Sequence, residues 1–324
     1  MLSEQVCRFL DEGGVSILLG ESRAEYVARE MSEERRATER PETLRAATKA
    51  ARARTRHLLA FVDQEMGGIC RLHDMVGPFP PSGLIGGTPE KELEAIAESI
   101  AQGAFSMGIN GFLAPVVDVS IGQNQWLQGR TWSTDPDLIG RQSAAFVRGV
   151  QRANVAATIK HFPGYGTMTG DPATDSDAIN PLDQHSIEAG MHAFRAPIQA
   201  RADIVMVGPA IVRALDPEMP ALRSAKVVST LRTGLGFKGI VMADDLDSKA
   251  TMRGDSVPRV ALDALNAGCD MLLLADVEDQ LERVAEEIET AAGDGRISRE
   301  ALAESARRIR ELALRRAAGP LGQR

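Results

Sequence analysis

Seven short apolar runs punctuate the 324 residues: VSILLG (15–20), LLAFVDQE (58–65), INGFLAPVVDV (109–119), VAATIKHFPG (155–164), ADIVMVGP (202–209), GIVMADD (239–245) and CDMLLLAD (269–276). Each ends in polar residues or glycine, and a helical pattern follows. Strands buried on both faces read as unbroken apolar runs, and their alternation with helices requires parallel βαβ units. A (β/α)8 barrel or a doubly wound open sheet satisfies that pattern. With 44% hydrophobic residues the chain buries a large core, and one barrel takes this length without a break, so residues 1–324 read as a single domain.

The helical stretches support the alternation. DPDLIGRQSAAFVRGVQRA (135–153) opens with an Asp-Pro pair suited to the cap and first position of a helix, and its apolar residues recur at three and four. Residues 277–295 and 298–319 follow the same rule, the second capped by Ser298. Residues 21–57 are dense in Arg and Glu, and Pro41 divides them into two helical pieces that read as solvated faces with i,i+4 ion pairs. GPFPPSGLIGGT (77–88) is a Pro/Gly-rich loop.

A net charge of −8 argues against nucleic acid or an anionic membrane as partner. Three cysteines, Cys7, Cys70 and Cys269, form neither a disulfide framework nor a Cys/His metal spacing, so buried thiols in a reducing compartment are expected, with no metal and no cofactor. The N-terminus carries acidic residues without a signal-peptide core, and no apolar run reaches the ~18 residues a membrane helix needs. The expectation is a soluble, cytoplasmic protein acting on a small molecule, its oligomeric state left open.

Chemistry gathers at the strand ends: Asp63-Gln64-Glu65 after the second run, Lys160-His161 after the fourth, Asp244-Asp245 after the sixth, with Arg71 and Arg130 in intervening loops. One carboxylate at a strand end is ordinarily a helix cap or a solvated residue. Several such ends together mark the face where βα loops converge on a ligand.

Taken together, VDQE..GG..R (62–71), APVVDV (114–119), R-x-W-x-x-DP (130–136), KHFPGxG (160–166) and GIVMADDLD (239–247) resemble glycoside hydrolase family 3, and within it the single-domain bacterial β-N-acetylhexosaminidase type. The resemblance, from about residue 10 to 315, implies a (β/α)8 barrel and a retaining glycosidase. It makes Asp244 the nucleophile that forms a covalent glycosyl-enzyme intermediate. It also makes Asp63, Arg71, Arg130, Lys160 and His161 sugar-binding residues, with Tyr165 beside them in the same loop.

The chain departs from the family's pattern in five places. Where the subgroup reads GHG and then Asp-Ser-His, whose His is the general acid/base, this chain has Gly164-Tyr165-Gly166 and then Asp175-Ser176-Asp177. A histidine near pKa ~6.5 cycles a proton at neutral pH, whereas an isolated Asp near ~3.9 does not. Asp177 serves as an acid only if burial or the charge of Asp175 raises its pKa. Met66 is inserted into the DQEGG motif, Gly208-Pro209 replaces a usual Ala-His, and the extra strand that normally precedes VSILLG is missing, so a barrel incomplete or distorted at its first strand is expected. Three functions follow: a β-hexosaminidase-like hydrolase with an altered acid/base, a glycosidase scaffold repurposed for cyclisation, epoxide opening or transfer on a secondary metabolite, and a non-catalytic carbohydrate-binding protein.

Overall fold

A computed structural model describes residues 2–122, 124–275 and 280–317. In chain order the elements are α1 (Glu4–Asp11), β1 (Ser16–Leu18), α2 (Arg23–Ala28), α3 (Glu33–Thr38), α4 (Pro41–Arg52), β2 (Leu59–Val62), α5 (Ser82–Ile85), α6 (Glu90–Ser106) and β3 (Gly111–Phe112). Then come α7 (Pro136–Arg152), β4 (Ala156–Phe162), β5 (Ile179–Asn180), α8 (Gln184–His192), α9 (Arg195–Gln199), β6 (Ile204–Val207) and β7 (Ile211–Val212). The chain closes with α10 (Ala225–Ser229), β8 (Ile240–Ala243), α11 (Lys249–Met252), α12 (Val257–Ala267), β9 (Met271–Leu272), α13 (Gln280–Asp294) and α14 (Arg299–Ala317).

Each of the seven apolar runs supplies one strand of a seven-stranded parallel sheet, ordered β1-β2-β3-β4-β6-β8-β9. Among the described residues no eighth strand joins β9 to β1. Residues of β1 and β9 nevertheless line one cavity, so the sheet curls until its ends face each other across an open seam. Residue 276, at the end of the last run, and residues 277–279 lie outside the described residues.

Side chains alternate across the strands, as a sheet covered on both faces requires. Leu59, Phe61, Ile204, Met206, Ile240 and Met242 form one cluster on the concave face. Val62, Val205, Val207, Val241 and Ala243 point the other way, into the larger core under the helices. At the amino ends of the strands α14 plugs the concave side with Leu312 and Ala313. Ion pairs fasten it there: Arg316 donates to Asp203 through Nε at 2.9 Å, and Arg308 to Asp270 at 2.6 Å.

The Arg/Glu-rich stretch forms three helices rather than two. Arg29 adopts a left-handed φ of 59° at the end of α2, and Ser32 caps α3 through a hydrogen bond from the Arg35 amide, so the chain breaks nine to twelve residues before Pro41. Nor are its charges merely solvated. Glu25 is buried and accepts from the Ser22 and Ser32 amides at 2.8 and 2.9 Å and from Arg35 Nη2 at 2.7 Å. That network folds α2 and α3 into a cap over the carboxyl end of the sheet. The three thiols are free; Cys269 is buried, while Cys7 and Cys70 are only partly so. No helix among the described residues is long and apolar enough to cross a membrane.

Candidate active site

A cavity of about 630 Å³ opens at the carboxyl ends of the strands. Its polar end is walled by Asp63 after β2, Lys160 and His161 of β4, Arg130 of the β3–α7 loop, and Asp244 and Asp245 after β8. Its apolar end runs along the concave face past Phe61 and Met242 to the seam between β1 and β9, where Val6 and Phe9 of α1 close it.

A buried charge cluster forms the floor. Lys160 Nζ lies 2.6 Å from Asp63 Oδ1 and 2.8 Å from Glu65 Oε1. Arg130 grips Glu65 with both arms, Nη2 to Oε1 at 2.7 Å and Nε to Oε2 at 3.0 Å. Burial alone would raise the Glu65 carboxyl, but Arg130 and Lys160 outweigh it and hold the group well below the usual carboxylate range. Asp63 shows the opposite balance: burial, only partly countered by Lys160, leaves its pKa raised. Gly68 permits the Glu65–Arg130 pair, since a β-carbon there would sit 1.9 Å from Glu65 Oε2.

Asp118, at the end of the APVVDV run, holds the next layer. Its Oδ2 lies 2.8 Å from His161 Nδ1 and accepts the His161 amide at 3.0 Å, while Oδ1 accepts the Tyr165 amide at 2.8 Å. Arg130 Nη2 stands 3.5 Å from His161 Nε2; a guanidinium only donates, so the neutral ring carries its proton on Nδ1, toward Asp118. Trp126 packs on the imidazole with ring centroids 4.4 Å apart and lies under the Arg130 guanidinium at 5.2 Å.

Asp244 is 9% exposed, and its amide continues the β8 ladder onto the Val207 carbonyl at 3.0 Å. The Asp245 amide donates to Asp244 Oδ1 at 2.8 Å, which fixes the carboxylate at the cavity wall. Beside it, burial and the neighbouring Asp247 push the Asp245 carboxyl well above its usual range. Arg23 of α2 bridges to both, 3.0 Å from Asp245 and 3.8 Å from Asp247. Tyr26 of the same helix accepts from Trp126 Nε1 at 3.0 Å, and Arg29 pairs with Asp171 at 3.0 Å.

Of the residues expected to bind sugar, Asp63, Arg130, Lys160 and His161 meet at this cavity; Arg71 and Tyr165 do not line it. Arg71 is held by Glu39 at 2.6 Å and supports the chain beside the cavity by donating Nε to the Gly20 carbonyl at 2.9 Å. Tyr165 is fully buried, its hydroxyl on the Ala210 carbonyl at 3.2 Å and its ring edge-on to Trp126 at 5.6 Å. Any β-carbon at position 208 would come within 2.3 Å of that ring. Tyr165 and Gly208 therefore form one packing unit. The inserted Met66 is likewise absorbed into the core, fully buried.

The expected acid/base pair also stands off the cavity wall. Asp177 is exposed and donates its amide to Asp175 Oδ1 at 2.8 Å. Arg253 pins the intervening Ser176 carbonyl at 2.6 Å, and the Ala250 amide holds the Pro172 carbonyl at 3.0 Å. Glu65, named at its strand end but given no role, holds the floor cations, and Glu21 and Asp118 join the site without having been expected there. Glu65 and Asp118 each end an apolar run, which was the available signal; Glu21 follows a glycine at the head of the charged stretch and gave none.

The model of the glycosyl hydrolase family 3 N-terminal domain matches residues 13–312. The chain belongs to glycosyl hydrolase family 3. A β-hexosaminidase of Stenotrophomonas maltophilia strain K279a is 35% identical over 271 residues, covering 80% of each chain, and one of Xylella fastidiosa strain 9a5c is 33% identical over 262 residues, 77% of this chain and 78% of that one. Among solved structures, a β-N-acetylhexosaminidase of Beutenbergia cavernae superposes with a TM-score of 0.80 at 27% identity, covering 96% of this chain and 93% of its own. A family 3 β-N-acetylglucosaminidase of a Paenibacillus strain superposes at 0.87 and 26% identity; this chain spans 99% of its own length but 61% of that enzyme. The family 3 assignment makes this a glycosidase-type protein.

Proposed function

We propose that this family 3 protein attacks an amino-sugar glycoside with Asp244 as nucleophile. The observation that carries the reading is the placement of Asp244, anchored by its own strand end, on the wall of the cavity whose floor is Asp63, Lys160, Arg130 and His161. A carboxylate there reaches the anomeric carbon of a sugar whose hydroxyls are held by charge-assisted hydrogen bonds from the floor. The ester formed on Asp244 is then opened by water, giving retention at the anomeric centre. The β-hexosaminidase relatives supply the amino-sugar class.

The test is Asp244→Asn with an activated aryl β-N-acetylhexosaminide, whose leaving group needs little protonation. Turnover is expected to fall at least about 10³-fold, since an amide forms no glycosyl ester. Undiminished turnover removes Asp244 from the role.

A second reading has one observation in its favour: the loop that ought to bring an acid/base to the leaving group presents Asp175 and Asp177 away from the cavity. The same nucleophilic aspartate without that partner suits transfer or ring-forming chemistry on a substrate that needs no protonated leaving group. Activated glycosides turned over at family rates while disaccharides remain inert would support it.

A further inference from the structure

Tyr26 of α2 lines the cavity together with Asp244, Arg130 and His161. Arg23 lies one helical turn before it, on the same face of α2, and Arg29 caps the helix with its guanidinium 4.4 Å from the centre of the Tyr26 ring. Those two arginines fix where the ring stands. Arg23 reaches Asp245 and Asp247, just past the nucleophile position, at 3.0 and 3.8 Å, and Arg29 reaches Asp171 of the 171–178 loop at 3.0 Å. Tyr26 is thus held between the end of β8 and that loop, by an element that is not part of the barrel sheet.

Its hydroxyl is equally fixed. The Trp126 indole N–H, which can only donate, gives its hydrogen bond to the Tyr26 oxygen at 3.0 Å, so the phenol keeps its own proton to give, and no hydrogen bond among the described residues uses it. Trp126 in turn packs on His161 and under Arg130, which sets the phenol oxygen against the cavity floor. The charged groups that face the phenol are Arg23 and Arg29 on its own element, Arg130 from the β3–α7 loop and Asp244 after β8. Burial outweighs Arg130 and Arg29 and holds the phenol above its ordinary value, so the proton stays on it through the neutral range.

We propose that the Tyr26 hydroxyl is the proton donor to the leaving group when Asp244 attacks, an inference that rests on the nucleophile reading above. A retaining displacement needs an acid that flanks the scissile bond opposite the nucleophile. The α2 cap covers the carboxyl end of the sheet, over the floor that holds the sugar, while Asp177 is exposed on its turn. As the anomeric C–O bond breaks, its electron pair passes to the leaving oxygen, which takes the Tyr26 proton, and Asp244 forms the ester. A sugar alkoxide is a stronger base than a phenolate, so the transfer runs downhill. The phenolate is held by the Trp126 N–H and by the charges of Arg130 and Arg29. Water then attacks the anomeric carbon, gives its proton to the phenolate, and releases the Asp244 carboxylate. The other groups that burial keeps protonated are occupied elsewhere: Asp245 is bonded to Arg23, and Glu21 faces Asp63, Lys160 and Glu65 on the floor.

The test is a leaving-group series: kcat/KM of the parent and of Tyr26→Phe on aryl β-N-acetylglucosaminides, from dinitrophenyl to phenyl, and on a β-N-acetylglucosaminide disaccharide. The parent is expected to depend weakly on leaving-group basicity. Tyr26→Phe is expected to lose about 10²-fold or more on the disaccharide and less than about threefold on the dinitrophenyl glycoside, whose leaving group needs no proton. Azide, a nucleophile that needs no base, is expected to raise kcat of the variant on the dinitrophenyl glycoside and to give a glycosyl azide of retained configuration. An equal loss on every substrate, with no response to azide, makes Tyr26 structural and overturns the proposal. A parent whose kcat/KM already falls steeply with leaving-group basicity has no acid at work; that result overturns the role of Tyr26 even if the variant fails to fold, and it leaves Asp244 as nucleophile. A parent inert to the dinitrophenyl glycoside overturns the glycoside reading and this inference with it.

Discussion

The floor of the cavity and the 171–178 loop are both rich in aspartate, yet they are built oppositely. On the floor, carboxylates that follow the strands meet cations or amides buried with them, as Glu65 meets Arg130 and Lys160 and Asp118 meets His161. In the loop, Asp175 serves the turn itself by accepting the Asp177 amide, and Asp177 faces water. Burial is what gives a carboxylate a fixed direction and a shifted affinity for protons. The floor has that and the loop does not.

The largest expected contrast is in stability. Glu65→Gln leaves Arg130 and Lys160 facing an amide in a dry site, and breaking a buried pair from one side costs about 3–5 kcal/mol. Asp177→Ala, on the exposed turn, is expected to stay within about 0.5 kcal/mol of the parent. Urea unfolding of both variants checks the pair; comparable losses would erase the distinction between the two regions.

A middle-sized effect concerns pH. The Glu21 pKa is raised from an ordinary 4.5 to about 8 in the folded chain. The folded state therefore holds the proton more tightly than the unfolded one, and the associated stability is present below the ordinary value and lost as pH rises toward 8. Gln mimics the protonated form at every pH. Glu21→Gln and the parent should melt together at pH 4, below the ordinary value, and the variant should be more stable at pH 9 by on the order of a few kcal/mol. A constant gap between the two melting curves from pH 4 to pH 9 would show that Glu21 does not titrate in this window.

The smallest expected effect sharpens the comparison most. Asp177→His rebuilds the Asp-x-His sequence, and general acid catalysis is typically worth about 10²–10⁴-fold when the group reaches the reacting proton. With the loop fastened by Arg253 and Ala250 off the cavity wall, the gain on a β-N-acetylglucosaminide disaccharide is expected to stay under about threefold. A tenfold gain in steady-state hydrolysis would show that the loop reaches the site during turnover.

The strands were legible because each is an apolar run ending in polar residues, a pattern that local sequence alone specifies. Asp63, Lys160, His161 and Asp244 were legible for the same reason, since a strand end fixes where its last side chains go. Arg71 and Tyr165 were misplaced because the partners that draw them off the cavity, Glu39 and Gly208, come from distant parts of the chain. Glu21 was hidden by composition. In a stretch crowded with Arg and Glu, nothing local distinguishes the carboxyl that turns inward from those that turn to solvent.

The contact between Tyr165 and position 208 also sets which order of substitutions at the two positions is tolerated. A tyrosine arriving while residue 208 still carried a β-carbon would have met it at 2.3 Å, with a ring already confined by Trp126 and Ala210. Overpacking of that kind typically costs about 1–3 kcal/mol, a sizeable share of a domain's margin. The glycine arriving first leaves only a methyl-sized void. The cheaper path therefore runs glycine before tyrosine, and while the ring is seated an alanine at 208 is excluded: the two sites constrain each other's substitutions.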